Sequence, residues 1–402
     1  MTTTAPLAGL RIVEVSAFVA APLGAMTLAQ LGAEVIRIDP IGGNIDFHRW
    51  PLAPNGNSLY WPSLNKSKRS VSLALDTRQG QDIAASIMCA AGEGGGIVLT
   101  NLPAKGWMSY EALSQRRSDL IMLRLTGNHD GSAAVDYTVN CASGFPIATG
   151  DDPRPVNHVL PAWDVAAGLY LATGLLAADR VRQRQGWGQE VTLALSNVML
   201  ATVGNLGYIA DVQINDAARE PIGNHLYGAF GRNFATADRR EVMVVAISNR
   251  QWKALGKATC LSTKLDMIGP LMEVDLSTEG GRYRARHAIA AVLEPWFLAR
   301  TLAEVETAFQ GTGVLSGVYR DFRQLVHEDA RCSLANPMFG EIEQPGIGAL
   351  MAPRIPLTFS RTATAEAQAA PLLGQDGGAV LTELLGMTMA DVDSLREQGV
   401  LG

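Results

Sequence analysis

The sequence predicts an α/β protein, a parallel sheet covered by helices, followed by a smaller α+β domain. Two observations carry this. Between residues 11 and 125, short aliphatic runs (RIVEV, VIRID, VSLAL, GIVLT, IMLRL) alternate with helical stretches at 22–31, 79–91 and 110–117. Strands that alternate with helices pair in parallel, because a crossover helix is what returns the chain to start the next strand in the same direction. From about residue 220 the texture changes. A Gly-rich polar segment (220–232) leads into an alternating strand at 241–247 and helical stretches at 250–257, 287–298 and 302–310. At 402 residues the chain also exceeds what one compact core usually holds, so two domains are expected.

The first strand, helix and second strand form a βαβ unit. A dinucleotide site would place GxGxxG between that strand and helix, but the chain has Ser16-Ala17-Phe18-Val19-Ala20-Ala21-Pro22-Leu23-Gly24. Asp39 stands where a ribose-binding acid would, yet without the glycines an NAD-dependent oxidoreductase is disfavoured. The glycines at 92–96 follow a helix and precede a strand. Anion-binding glycines lie after a strand, so this cluster reads as a helix stop. Further on, Asp164 directly precedes the small apolar run 165–178 (VAAGLYLATGLLAA), predicted as a helix, before a strand at 189–194 and a helix at 195–210. A carboxylate in that place is an N-cap whose charge the helix dipole keeps ionised, and it is equally placed to act as a nucleophile. Residues 361–370 (RTATAEAQAA) read as a linker or wrapping arm.

Composition narrows the function. With 47% hydrophobic and 18% charged residues the chain is globular. A net charge of −6 argues against a nucleic-acid partner. The start, MTTTAPLAGLRIVEV, shows no signal-peptide pattern, and the longest apolar run falls short of the roughly 20 residues of a membrane span. A cytoplasmic protein with no membrane partner is expected. Cys89, Cys141, Cys260 and Cys332 are scattered without a CxxC pair, and the six histidines show no HExxH spacing, so no metal site is expected.

Four blocks carry a family resemblance: residues 7–39, Asn65-Lys66-Ser67-Lys68-Arg69-Ser70-Val71, Gly186-Trp187-Gly188-Gln189-Glu190-Val191, and the tail Pro371-Leu372-Leu373-Gly374-Gln375-Asp376 through Leu384-Leu385-Gly386. Nearly end to end, the chain resembles class III CoA-transferases, the formyl-CoA transferase and α-methylacyl-CoA racemase family. The resemblance implies a Rossmann-like large domain built from both chain ends (1–219, with 331–402 as linker and return), a small domain at 220–330, and an interlocked homodimer. It implies an acyl-CoA substrate, with coenzyme A belonging to the substrate and no permanently bound cofactor.

It also implies roles. Asp164 would be the catalytic nucleophile, forming an aspartyl-CoA thioester by way of a mixed anhydride. Ala17, Phe18 and Val19 correspond to the loop that touches the CoA pyrophosphate. Cations are needed around the CoA phosphates. Candidates are Arg37, Arg49 and the cluster Lys66, Lys68, Arg69, each of which alone is also readable as a surface charge. Lys68 and Arg69 are favoured by their place in a family-like block. Asn101 and Leu102 match the pair that holds the pantetheine arm, and Lys105 stands near the position where the family often has an arginine. Gly223, Asn224, His225 and Tyr227 occupy the place of the mobile lid. Asp136 falls where relatives have an acid close to the nucleophile, and it is also readable as a helix-start cap.

The racemases use a histidine just before the acid matching Asp136 and a glutamate in the turn matching 246–249. Here Val135 and Ala246-Ile247-Ser248-Asn249 supply neither base, so α-proton exchange is disfavoured. The segments 158–164 and 224–234 look most like the branch that moves CoA between the two carboxyls of one branched C5 dicarboxylate. Trp163 beside the nucleophile and a lid with few glycines suggest a narrow site. The alternatives are transfer between an acyl-CoA and a separate free acid, and a non-catalytic acyl-CoA binding protein.

Overall fold

The computed structural model describes residues 5–402. It divides into two compact units, one formed by the chain up to Ser143, Val159–Asn215 and the chain from Ala330 onward, the other by Gly144–His158 and Asp216–Asp329.

The first unit is built on six strands, β1 (Arg11–Val15), β2 (Glu34–Pro40), β3 (Arg69–Leu73), β4 (Ile97–Thr100), β5 (Ile121–Thr126) and β6 (Glu190–Ala194). They pair in the order β3-β2-β1-β4-β5-β6, every pair parallel. β1 through β5 are buried almost throughout, as expected of strands covered on both faces. The helices of this half are α1 (Ala20–Gln30), α2 (Tyr60–Asn65), α3 (Arg78–Met88), α4 (Tyr110–Arg116) and α5 (Asp136–Cys141); α6 (Phe145–Ala148) belongs to the second unit, and α7 (Ala162–Gln185) returns to the first. The chain leaves β1 in one direction and β4 in the other. In such sheets the crevice outside the strand ends at that reversal is the usual ligand site.

α1 and α7 pack side by side through small residues. A Cβ on Gly24 would lie 2.7 Å from the Gly168 carbonyl oxygen, and one on Gly168 would lie 2.7 Å from that of Ala20. This close approach ties the start of α7, which carries Asp164, to the helix that follows β1. The tail adds helices Gly377–Leu385 and Met389–Glu397, whose Val380, Leu381, Val392 and Leu395 join the core with Val71, Leu73 and Ile83.

The second unit carries an antiparallel sheet, β7 (Phe230–Ala235), β8 (Glu241–Ala246) and β9 (Leu315–Val318), in that order. An aromatic core of Phe234, Phe297, Trp296 and Phe309 lies among its helices, with Phe234 and Phe297 stacked at 4.4 Å and Trp296 and Phe309 at 5.6 Å. The helix expected at 195–210 is broken: Gly207, at φ +84, separates Leu195–Asn205 from Tyr208–Asn215. β7 does not read as a strand in the sequence, because FGRNFA and the glycine before it do not alternate cleanly. Among the described residues no helix is long and apolar enough to cross a membrane.

Candidate active site

Asp164 is not the N-cap expected of it. α7 begins at Ala162, with Pro161 as its cap residue, so Asp164 lies three positions past the cap, inside the first turn. Asp136, the first residue of α5, does the capping instead: its Oδ2 accepts the backbone N–H of Trp163 (2.8 Å) and of Asp164 (3.1 Å). The side chain of Asp136 is buried, and its Oδ1 has no hydrogen-bond partner among the described residues. With those amides taken by another carboxylate, the helix end does not hold Asp164 ionised. Burial first, and then the charge of Asp136, push the Asp164 carboxyl up to about 6, against the opposing pull of Arg49. The expectation of a dipole-stabilised carboxylate is therefore reversed, because two acids share one helix start and only one receives its N–H groups.

Around this pair stand Arg49, Tyr60 and Tyr137. Tyr60 is half-buried, and burial first, with Asp46, Asp164 and Tyr137 adding to it against Arg49, raises its phenol to about 12. The Arg49 guanidinium lies 5.4 Å over the Phe18 ring and 5.3 Å over that of Tyr60.

The loop after β1 is fixed from two sides. The Asn101 side chain at the end of β4 accepts the Ala17 N–H (2.9 Å) and donates to the Ala17 carbonyl (2.7 Å), while Asp46 accepts the Phe18 N–H (3.1 Å). Phe18 has φ +66, a left-handed conformation that bulky residues rarely adopt. Val19 is the residue before α1. These bonds bring Ala17, Phe18 and Asn101 together at the chain reversal of the sheet. Asn101, expected to hold a pantetheine arm, spends its amide on Ala17. Phe18, expected at the pyrophosphate, packs beneath a cation whose charge reaches Asp164. Leu102 packs against the core, and Lys105 beyond it is exposed.

Two expected phosphate ligands are placed elsewhere. Arg37 and Lys68 are buried in a network with Glu14, Asp39 and Asp46: Arg37 lies 2.7 Å from Asp39 and 3.3 Å from Glu14, and Lys68 lies 2.7 Å from Glu14. Asn65 accepts from both cations (3.2 and 2.8 Å). Burial alone would pull the Arg37 guanidinium down, yet Asp39 and Glu14 together outweigh it and raise it, while burial takes Lys68 down to about 8 despite Glu14. These cations were expected at a ligand because the CoA phosphates need positive partners and, for Lys68, because of its family-like block; here buried carboxylates compensate their charge instead. Arg69 is bound by Glu34 and Glu383, each at 2.7 Å. Lys66 is also buried and donates to the Ser63 carbonyl. Trp163, expected to narrow the site, is buried with its indole N–H on Asn140 (3.1 Å). One residue before Asp164 on a helix, it faces a different way.

Gly223, Asn224 and His225 lie in the second unit and line a pocket of ≈ 570 Å³ with Arg232, Arg286 and His287. Burial first, then His287, Arg232 and Arg286, takes the His225 imidazole down to about 4, so it is neutral at pH 7. Tyr227 is exposed beneath Arg219, which lies 3.5 Å over its ring.

The sequence matches the profile of CoA-transferase family III over residues 7–377. The chain belongs to CoA-transferase family III. Within that family it is 51% identical over 398 residues to the 2-methylfumaryl-CoA isomerase of Chloroflexus aurantiacus, covering 98% of this chain and 97% of that one. It is 26% identical over 413 residues to the succinyl-CoA–D-citramalate CoA-transferase of the same organism, covering 98% of both. A crystal structure of a CAIB/BAIF family protein from Brucella suis superimposes with a TM-score of 0.77 at 22% identity, covering 95% of this chain and all of that one. That likeness speaks for the fold. As a family III CoA-transferase, the chain has an acyl-CoA thioester as its substrate class.

Proposed function

We propose that this protein moves CoA between the two carboxyls of 2-methylfumaryl-CoA (mesaconyl-CoA), converting the C1 thioester into the C4 thioester. The observation that carries the chemistry is the Asp164 carboxylate, held back from its helix amides by Asp136 and raised to about 6. At pH 7 it is ionised but poorly solvated, the condition of a reactive oxygen nucleophile. The 51% identical relative supports the choice of acyl group.

The steps balance without ATP. Asp164 attacks the thioester carbonyl and expels CoA thiolate, leaving a mixed anhydride between acyl group and aspartate. The thiolate attacks the aspartyl carbonyl, which frees the dicarboxylate and leaves aspartyl-CoA. The other carboxylate of the same molecule then attacks that thioester, the thiolate leaves again, and its return to the C4 carbonyl completes the product and restores Asp164. Each intermediate would be lost to water, so the site must be dry during the cycle. A dicarboxylate kept in place recombines at high effective concentration, which favours transfer within one molecule over exchange with free acid.

For the CoA moiety, the loop Ala17, Phe18, Val19 with Asn101 and Leu102 forms the floor of the strand-end crevice, and Lys105, exposed beside it, contacts a phosphate. In place of the expected 1–219 with 331–402, the CoA-binding domain takes in the chain up to Ser143, Val159–Asn215 and the chain from Ala330 onward, and the small domain takes in Gly144–His158 and Asp216–Asp329 rather than 220–330, with Gly223–Tyr227 as its lid segment. The protein acts as an interlocked homodimer in the cytoplasm. Exposed apolar residues at Leu169, Tyr170, Leu200, Leu206, Ile209 and Val212 support a partner surface. A native monomer by light scattering at micromolar concentration would exclude the dimer.

The deciding experiment supplies 2-methylfumaryl-C1-CoA with excess isotopically labelled free mesaconate. Unlabelled C4 ester supports retention. Label entering as fast as isomerisation makes the protein an intermolecular CoA-transferase instead.

A further inference from the structure

We infer that Arg49 is the residue that recognises the free carboxylate of a dicarboxylyl-CoA substrate, and so selects dicarboxylyl over monocarboxylyl thioesters. The inference rests on the proposed function for its substrate class.

The need for such a cation follows from charge. Asp136 and Asp164 already place two acids at one helix start, and a substrate with a free carboxyl brings a third. Without a facing cation its approach is repelled. The cations Arg37, Lys68 and Arg69 are taken by Glu14, Asp39, Glu34 and Glu383. Arg49 differs: its guanidinium makes no hydrogen bond or ion pair among the described residues, and it lies near enough to Asp164 for its charge to act on that carboxylate.

It is also held in place. The guanidinium rests on the faces of Phe18 and Tyr60, an arrangement that orients a planar cation while leaving its N–H edge available. Both rings are fixed to the Arg49 backbone. Asp46 accepts the Phe18 N–H through its side chain and the Arg49 N–H (3.2 Å) through its carbonyl. Ser58 donates to the Arg49 carbonyl (2.6 Å) and accepts the Tyr60 N–H (3.1 Å). A ring-supported, solvent-accessible fork whose charge acts on Asp164 fits a carboxylate bidentately. A CoA phosphate, a pantetheine arm away from the reacting carbonyl, would not meet it there.

The test measures dissociation constants in the Asp164→Asn background, where bound thioester is not turned over. Three ligands are compared: 2-methylfumaryl-CoA, tiglyl-CoA, in which a methyl replaces the free carboxylate, and CoA itself. Arg49→Gln should weaken 2-methylfumaryl-CoA by about tenfold or more and leave the other two within about twofold. Arg49→Lys should fall between, since it keeps charge and loses the fork. Equal weakening of all three ligands would assign Arg49 to the CoA moiety and overturn the inference, as would no change in any. Unaltered CoA binding shows that the variant is folded. Succinyl-CoA against butyryl-CoA reads the same preference without the C5 acyl group. A protein that does not isomerise 2-methylfumaryl-CoA, yet loses succinyl-CoA selectively in Arg49→Gln, refutes the proposed reaction and upholds Arg49.

Discussion

Asp136 takes the two backbone N–H groups at the start of α7 that would otherwise serve Asp164, at 2.8 and 3.1 Å. One acid thus caps the helix while the other, three residues into the segment after Pro161, stays half-buried beside it with a raised carboxyl. Division of a helix end between two acids separates a structural from a chemical role.

Asp164→Asn is expected to reduce turnover by on the order of 10³-fold or more, since an amide does not form the anhydride. It should also stabilise the fold. The folded carboxyl is raised from 3.8 to about 6, so the ionised group costs roughly 2–3 kcal/mol at neutral pH. That cost is complete above about pH 6 and vanishes as pH falls through the window to 3.8. Denaturant melts should therefore show the variant ahead at pH 7 and level with the native protein near pH 3.5, as long as both remain folded there. A variant less stable at pH 7 would contradict the burial argument.

The rate of the native protein should fall below about pH 6 as Asp164 takes up a proton. Asp136→Asn removes the charge that raises Asp164, so the acid limb moves to lower pH. Arg49→Gln removes the cation that opposes it, so the limb moves up. Limbs shifting the opposite way in pH–rate profiles would refute this electrostatic assignment.

Asp136→Ala should cost about 1–2 kcal/mol through loss of the α7 cap, whereas Asp136→Asn keeps an acceptor and costs less. Urea unfolding of the two variants checks the order.

Lys68→Met leaves Glu14 buried without its ammonium partner and should cost about 3–5 kcal/mol. The affinity of the folded protein for CoA should not change, because the ammonium points at Glu14 (2.7 Å) and the Pro22 carbonyl (3.0 Å). Weakened CoA binding with intact stability would return Lys68 to the phosphate site.

Gly168→Ala would place a methyl 2.7 Å from the Ala20 carbonyl oxygen. The expected result is a destabilisation of about 1–3 kcal/mol and a loss in kcat larger than the change in KM, because α7 carries Asp164 one turn earlier. Native kcat in this variant would show that the α1–α7 spacing does not set the position of the nucleophile.

What the sequence by itself determined was local or repetitive. The strands at 11–15, 34–40 and 121–126 and the helices between them follow from aliphatic periodicity, and their alternation dictates a parallel sheet. Asp164 was legible as a carboxylate beside a helix because that pattern is contiguous. Only the tertiary structure decided which acid caps α7, since Asp136 is 28 residues away in sequence. It alone decided that Arg37 and Lys68 are spent on Glu14, Asp39 and Asp46 while Arg49 is left without an ion pair among the described residues. A basic residue reads alike in a sequence whether it faces a ligand or a buried acid. The difference lies in compensation of its charge by distant groups, which folding sets and no local pattern encodes.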